Sequence, residues 1–338
     1  MIAKTLKSGI FCVLFSYTMT TLAQSPISEI RGGKPSSGDA FEAVVQIGTL
    51  SYDDNGIMHF KHTCSAALID SDTVLTAAHC QVDPYFATFL YPREWAVVKS
   101  VDNRSVQYKL EEIQARTESD LELAGIFLSF ASPENYAVHP NYTLPLFDPD
   151  ATDLEQFENL EYPVIGKHAD VMILKLNTPF PSSVSPLRVA NRNMIRGLRS
   201  GTPVKAVGYG TIDGKTLSPE LKQVDLRLSS LAECRKHYKK ILQEMSPEEA
   251  QEAASNPFPN NSQICTYEKN RGICGGDSGG PLIAFENGRR VIIGVTSWGY
   301  QHGEECADPN DYKLDVWSKP TFYASWFDSV SGLDYSVK

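Results

Sequence analysis

Three side chains of this chain could together turn a hydroxyl into a nucleophile: His79, Asp170 and Ser278. A serine hydroxyl attacks poorly at its free pKa. It needs a neighbouring base to take its proton, and the base needs a carboxylate to hold it in the right tautomer. Ser278 lies in Gly276-Asp277-Ser278-Gly279-Gly280-Pro281, shortly after Cys274. Glycine permits backbone angles that other residues avoid. Such a run can turn the N–H groups of Gly276 and Ser278 towards one point and hold a developing oxyanion there. His79 follows the apolar run Val74-Leu75-Thr76-Ala77-Ala78 and precedes Cys80. Asp170 stands at the mouth of Val171-Met172-Ile173-Leu174, a short apolar run that reads as a buried strand.

The same glycine run fits the Gly-x-Ser-x-Gly elbow of the α/β-hydrolases, whose triad runs serine, acid, histidine. After Ser278 the only histidine is His302, in the polar stretch Gln301-His302-Gly303-Glu304-Glu305, and the only acid between them is Glu286. The chain also lacks the alternation of strand and helix that such a fold requires, so the elbow is rejected. What remains is histidine, aspartate, serine, in that order.

The elements that must position these residues are mostly strands. Ala43–Ile47, Cys64–Ile69, Pro203–Gly210 and Val291–Gly299 are short, largely apolar runs, and Asp53-Asp54-Asn55-Gly56 is a polar turn between two of them. Val97-Val98 and Val106-Gln107-Tyr108 also read as strands. Glu111, Glu112, Glu118, Asp120 and Glu122 crowd one stretch, and Asp148, Asp150, Asp153, Glu155, Glu158 and Glu161 another. Both read as solvated insertions. Asn177 to Pro203, with four prolines, reads as a linker between two halves. Three helices are expected: Cys234 to Met245, Pro247 to about Ala254 behind an N-cap at Ser246, and an amphipathic one over Phe322–Val330. Many short strands in two halves predict an all-β fold of paired antiparallel barrels with a C-terminal helix.

The chain has 338 residues, 42% hydrophobic and 21% charged, enough to bury a real core. A net charge of −10 argues against a general binder of nucleic acid or anionic membranes. Lys4 and Lys7 precede the apolar Ile10–Phe15, and Thr21-Leu22-Ala23 follows, which predicts a secretory leader over residues 1–23. No later stretch approaches ~18 apolar residues. Cys12 leaves with the leader. Cys64, Cys80, Cys234, Cys265, Cys274 and Cys306 remain, an even set suited to an oxidising compartment, and spacing alone does not choose their pairing. Asn103, Asn141 and Asn260 begin sequons and are candidate glycosylation sites.

Thr76-Ala77-Ala78-His79-Cys80, the Asp170 segment, Gly276 to Pro281 and Ser297-Trp298-Gly299 together resemble the chymotrypsin- and trypsin-like serine peptidases. The resemblance runs from Ile30 to about the C-terminus, apart from insertions. It implies residues 24–29 as a short propeptide and residues 30–338 as one peptidase domain. In that domain, all-β with two antiparallel six-stranded barrels, 30–178 would form the N-terminal barrel with its acidic insertions and 179–338 the C-terminal barrel and terminal helix. It implies the pairs Cys64–Cys80, Cys234–Cys265 and Cys274–Cys306. His59 and His62 beside Cys64 mimic a metal cluster, but a disulfide removes Cys64 as a ligand, so neither metal nor cofactor is expected. His139 lies in a loop texture common in the family. No role is assigned to His168 or His237.

By the same resemblance, Gly276 and Ser278 supply the oxyanion hole, and Ser297, Trp298 and Gly299 pair with the substrate main chain. Cleavage before Ile30 would free an amino group to pair with Asp277. Glu29 stands where a basic residue usually precedes that cut, and Arg31 where an apolar residue usually follows it. The specificity pocket would be built by Gly272 and Ile273 at its base, with Asp315 on its wall. Trypsin-like members carry an acid at the position of Gly272. The acid at 315 would still favour Lys or Arg, less strictly. The resemblance thus implies a secreted, extracellular serine endopeptidase, monomeric, acting on protein or peptide substrates, with protein inhibitors as further partners. No nucleic acid is expected as a partner, nor a membrane once the leader is gone. The alternative from another class is a protein that keeps this fold for binding or inhibition with little turnover.

Overall fold

The computed structural model describes residues 33–36, 41–81, 94–142, 169–244, 261–300, 306 and 312–332. The leader, Ile30, the acidic stretch from Asp148 to Glu161, His168, the helix expected over 247–254, Asn260 and His302 lie outside them. The described strands are β1 (Lys34–Pro35), β2 (Val44–Tyr52), β3 (Met58–Asp70), β4 (Thr73–Thr76), β5 (Trp95–Ser100), β6 (Ile126–Ala131), β7 (Tyr136–Val138), β8 (Met172–Lys175), β9 (Arg188–Val189), β10 (Pro203–Gly208), β11 (Lys222–Ser229), β12 (Gln263–Lys269), β13 (Pro281–Glu286), β14 (Arg289–Tyr300) and β15 (Tyr312–Ser318). The helices are α1 (Val106–Ile113), α2 (Glu118–Leu123), α3 (Arg192–Arg196), α4 (Leu231–Glu244) and α5 (Ala324–Ser331).

Two sheets result. The first runs β6-β5-β2-β3-β4-β8-β7 and curls into a half-barrel. In the second, β10, β11, β12, β15, β14 and β13 pair in a closed ring, with β1 added on β11 and β9 on β14. This is the mostly-β architecture expected, with one barrel closed and the other curled. β3 shows how one sequence serves two environments. Met58 and Phe60 are buried while His59 and Lys61 face water, the alternation of a half-covered strand. From Cys64 to Ile69 every residue is buried, because the second half covers the outer face. The small side chains of Ser65, Ala66 and Ala67 leave room for that approach. Across the second half, Asn287 (φ 49°) and Gly288 (φ 77°) turn β13 into β14, the two-residue geometry that matches strand twist.

One strand expectation fails. Val106-Gln107-Tyr108 begins α1 rather than a strand. β-branched and aromatic residues favour strands only where a pleated surface awaits them. Here Val106 and Leu110, one helical turn apart, pack with Met58, Phe60, Val98 and Ile126 in a small core of their own. The nearby acids are solvated as expected: Glu111, Glu112, Glu118 and Glu122 are exposed. Asp120 caps α2 through Thr117, where a carboxylate meets the positive end of the helix. The stretch expected as a linker is more ordered than its prolines suggest, since it carries β9 and α3.

The largest apolar cluster joins both halves. It runs from Val45, Leu75 and Ile173 through Val207, Ile283 and Val295 to Tyr323 and Phe327. A second cluster, with Trp317, Leu282 and Ile293, fills the closed barrel. His139 sits between Tyr323 and Trp326, with ring centroids 4.7 and 5.0 Å away, and so fastens the C-terminal helix to the first sheet. Among the described residues no helix is long and apolar enough to cross a membrane.

Candidate active site

The site lies where the two halves meet. β4 ends at Thr76, and His79 follows on a single 3₁₀ turn, Ala78–Gln81, rather than on the strand itself. The Cys64–Cys80 disulfide fixes that turn to β3. Asp170 lies two residues before β8, which pairs with β4 from Thr76–Met172 onwards. The pairing sets the acid beside the histidine. Asp170 Oδ2 is 2.8 Å from His79 Nδ1, and Oδ1 accepts the His79 backbone N–H at 2.9 Å. Ser297 Oγ donates to Oδ2 at 2.6 Å. Ala169, in front of the acid, has a φ of 56°, a left-handed conformation that costs a non-glycine residue of order 1 kcal/mol. Its N–H is held by the Tyr323 hydroxyl at 2.9 Å.

Asp170 is fully buried. Burial alone would raise its pKa, but the charge and hydrogen bonds of His79, with that of Ser297, hold it below the usual carboxylate range. Burial pulls His79 down, yet the charge and hydrogen bond of Asp170 outweigh it and leave the imidazole above its ordinary 6.5. The pair favours a proton on Nδ1 directed at the acid, which leaves Nε2 facing outwards as the basic nitrogen.

The loop carrying Ser278 is pressed against the end of β4. Gly279 has a φ of 76°, and a Cβ there would collide with Thr76 Oγ1, the Ser65 carbonyl and the Ala77 N–H. Only glycine fits that close approach. The Ser278 carbonyl accepts Ser65 N–H at 2.9 Å, and Gly279 N–H reaches the Thr296 carbonyl at 2.9 Å. Ser278 is thus fixed between β3 and β14, one residue from a contact with the segment that leads to His79.

Gly276, at a φ of 85°, is held through its carbonyl. Ser65 Oγ donates to that oxygen at 3.0 Å, and His62 Nε2 lies 3.0 Å from it. Gln46 Nε2 stands 3.2 Å from the other ring nitrogen of His62, so the imidazole carries its proton on Nε2. Burial pulls the His62 pKa down to about 4, keeping the ring neutral at neutral pH. His62 is therefore a loop anchor, and its partner Cys64 is committed to a disulfide. Asp277 is 2% exposed. Its carboxylate accepts Gly210 N–H at 2.9 Å and Cys274 N–H at 2.8 Å. Burial still pushes its pKa up to about 6.

Two further disulfides, Cys234–Cys265 and Cys274–Cys306, complete the three pairs that the resemblance implies. Behind Cys274, the residues expected to form the specificity pocket come together. Asp315 is fully buried on β15 and faces Gly299, its register partner on β14. A side chain at Gly272 would run into the Asp315 carboxylate, and Ile273 N–H donates to Asp315 Oδ2 at 3.1 Å. The Ile273 side chain belongs to the core of the closed barrel, while its backbone N–H meets Asp315. Trp298 packs instead against Tyr238 of α4 and Tyr300, at 5.9 and 5.6 Å between centroids.

Two sheets joined at a shared core, with a buried carboxylate, a histidine and a glycine-wedged serine loop at the joint, are one family's arrangement. The trypsin family model matches residues 30–120 and 134–326. The chain belongs to the trypsin family. Similar relatives include transmembrane protease serine 11C of Mus musculus, 24% identical over 306 residues, which cover 90% of this chain and 55% of the mouse protein. This chain therefore spans about half the length of that relative. Trypsin epsilon of Drosophila erecta is also 24% identical, over 252 residues, covering 72% of this chain and 70% of the fly protein. The trypsin-family reading rests on residues visible in the sequence. Gln46, His62, Ser65 and Tyr323, which hold the loop and the acid in place, were not. His62 and Ser65 flank Cys64, a proximity that could have flagged them; nothing local marks Gln46 or Tyr323.

Of the sequon residues, Asn103 is half-buried and its side-chain oxygen accepts from Lys99 at 2.7 Å, whereas Asn141 is exposed.

Proposed function

We propose that the chain is a secreted serine endopeptidase that hydrolyses peptide bonds through an acyl-enzyme. His79 Nε2 takes the Ser278 proton as the hydroxyl attacks the scissile carbonyl, and then returns it to the leaving amine. Water, deprotonated by the same nitrogen, releases the acyl group. Asp170 holds the imidazole and stabilises its protonated form. The N–H groups of Gly276 and Ser278 receive the oxyanion. The observation that carries this reading is the hydrogen-bonded set Ser297–Asp170–His79, with Gly279 wedged against Thr76 and Ala77 beside it.

The substrate main chain adds to Ser297-Trp298-Gly299. In support, β13 pairs with β14 only as far as Pro281–Val295, while β15 continues alongside to Tyr300. Asp315, buried opposite Gly272, gives a relaxed preference for Lys or Arg at the residue before the cleaved bond. Ile30, once freed, pairs with Asp277. Pro35 on β1 pairs with Lys222, and Lys222 with Gly208, where a Cβ would run into the Asp277 carboxylate. Two strand spacings are about 10 Å, and the five residues from Pro35 back to Ile30 reach about 17 Å. Secretion accords with the leader and with three disulfides.

Expression of the full chain, with N-terminal sequencing and a peptide-hydrolysis assay of the product, tests this reading. The expected product starts at Ile30 and cleaves after Lys and Arg, and Ser278→Ala abolishes cleavage. A product starting at Ile30 that cleaves nothing would favour the binding or inhibitory alternative.

A further inference from the structure

Beside Asp315 in the pocket lies a second charged side chain. Lys313 stands two residues earlier on β15 and so points to the same face of the strand. It is 4% exposed, little for a lysine. Its stem fills the space between the two glycine walls. A Cβ at Gly272 would lie 2.6 Å from Lys313 Cδ, and one at Gly299 would lie 3.5 Å from Lys313 Cε and 2.7 Å from Asp315 Oδ1. Its ammonium donates to the Ile273 carbonyl and lies 3.6 Å from Cys306 Sγ. The Ile273 peptide thus binds both charges of the pocket, its N–H meeting the carboxylate and its carbonyl the ammonium. The Lys313 charge also acts on Asp277, where it works against burial.

We propose that Lys313 is a specificity-determining residue: its side chain occupies the pocket as an internal stand-in for a substrate lysine and competes with a basic substrate residue for Asp315. A four-carbon stem between the glycine walls with an ammonium at the pocket base is the shape and charge that a bound lysine would present. A buried carboxylate is costly without a cation nearby, and the Lys313 ammonium reaches the same Ile273 peptide that meets Asp315. A Lys or Arg substrate must displace Lys313 into solvent before it meets Asp315, and the energy of that displacement is subtracted from its binding. This inference rests on the reading of Gly272, Gly299 and Asp315 as the substrate pocket, not on turnover.

Benzamidine, a small aromatic cation that needs no catalysis to bind, is the probe, with affinity measured by calorimetry. Lys313→Met and Lys313→Gln should each bind it at least tenfold more tightly than the parent, and adding Asp315→Asn should remove the gain. Fluorophosphonate labelling of the same samples reports the serine separately, so a dead nucleophile is not mistaken for a closed pocket. No gain in a folded Lys313 variant, or a gain that survives Asp315→Asn, would overturn the proposal. Acetylation of the native parent by an amine reagent, mapped by mass spectrometry, needs no variant. Lys313 should react at least tenfold more slowly than exposed Lys239, and equal rates would also overturn it.

Discussion

Asp170 accepts hydrogen bonds from the His79 ring, the His79 backbone and Ser297, all of which favour its ionised form. Removing that charge should expose how much of the histidine's basicity is borrowed. In Asp170→Asn we expect kcat to fall on the order of 10⁴-fold with little change in KM. The parent's kcat/KM should rise with pH through a value above 6.5, because His79 must lose its proton to act as base. In the variant burial acts unopposed, and that limb should move down. pH profiles of both proteins check it. Asp277 gives a prediction of opposite character. Its folded pKa is raised from the ordinary 3.8 to about 6, so the folded state holds its proton more tightly than the unfolded one. The stability this contributes is complete below about pH 4 and is lost as pH rises through 6, by roughly 3 kcal/mol for a change of this size. Urea unfolding of the uncut protein against Asp277→Asn should show the difference moving in the variant's favour from pH 4 to 7. A flat difference would mean that Asp277 already has a cationic partner before cleavage.

The serine loop depends on contacts that its own sequence does not announce. Gly279 combines a φ of 76° with steric contact to Thr76, Ser65 and Ala77. Gly279→Ala should therefore cost more than about 3 kcal/mol of stability, seen as a large drop in Tm. An unchanged Tm would mean that the loop does not sit against β4. The glycine run was legible as a turn, but not as a wedge, because the partner atoms come from strands some 200 residues earlier, as with Ser65 and Gly276 (separation 211). Secondary structure shows the same divide. Apolar runs such as those of β4, β8 and β14 declared themselves. Val106-Gln107-Tyr108 misled, since its β-prone residues are drawn into a helix by a core that only the folded chain provides. Ile273, expected at the pocket base beside Gly272, packs its side chain into the core of the closed barrel, a placement that its neighbours in sequence do not announce.

At the scale of the molecule, the division into two β halves followed from strand texture and the proline-rich stretch between. That the halves share one apolar cluster, and that β1 crosses to the second sheet, did not, because both depend on pairing between distant segments. The proposed site lies at this joint. The 3₁₀ turn after β4 carries the histidine, the segment before β8 the acid, β14 carries Ser297, and the loop before β13 carries Ser278. The central claim is that this joint activates Ser278. The most direct measurement is fluorophosphonate labelling of the protein with Ile30 at its N-terminus, followed by mapping of the adduct. One adduct per chain on Ser278, absent from Ser278→Ala and slowed at least 100-fold in His79→Ala, is the predicted result. A folded, correctly cleaved protein that takes up no probe, or takes it up at another serine, would contradict the account.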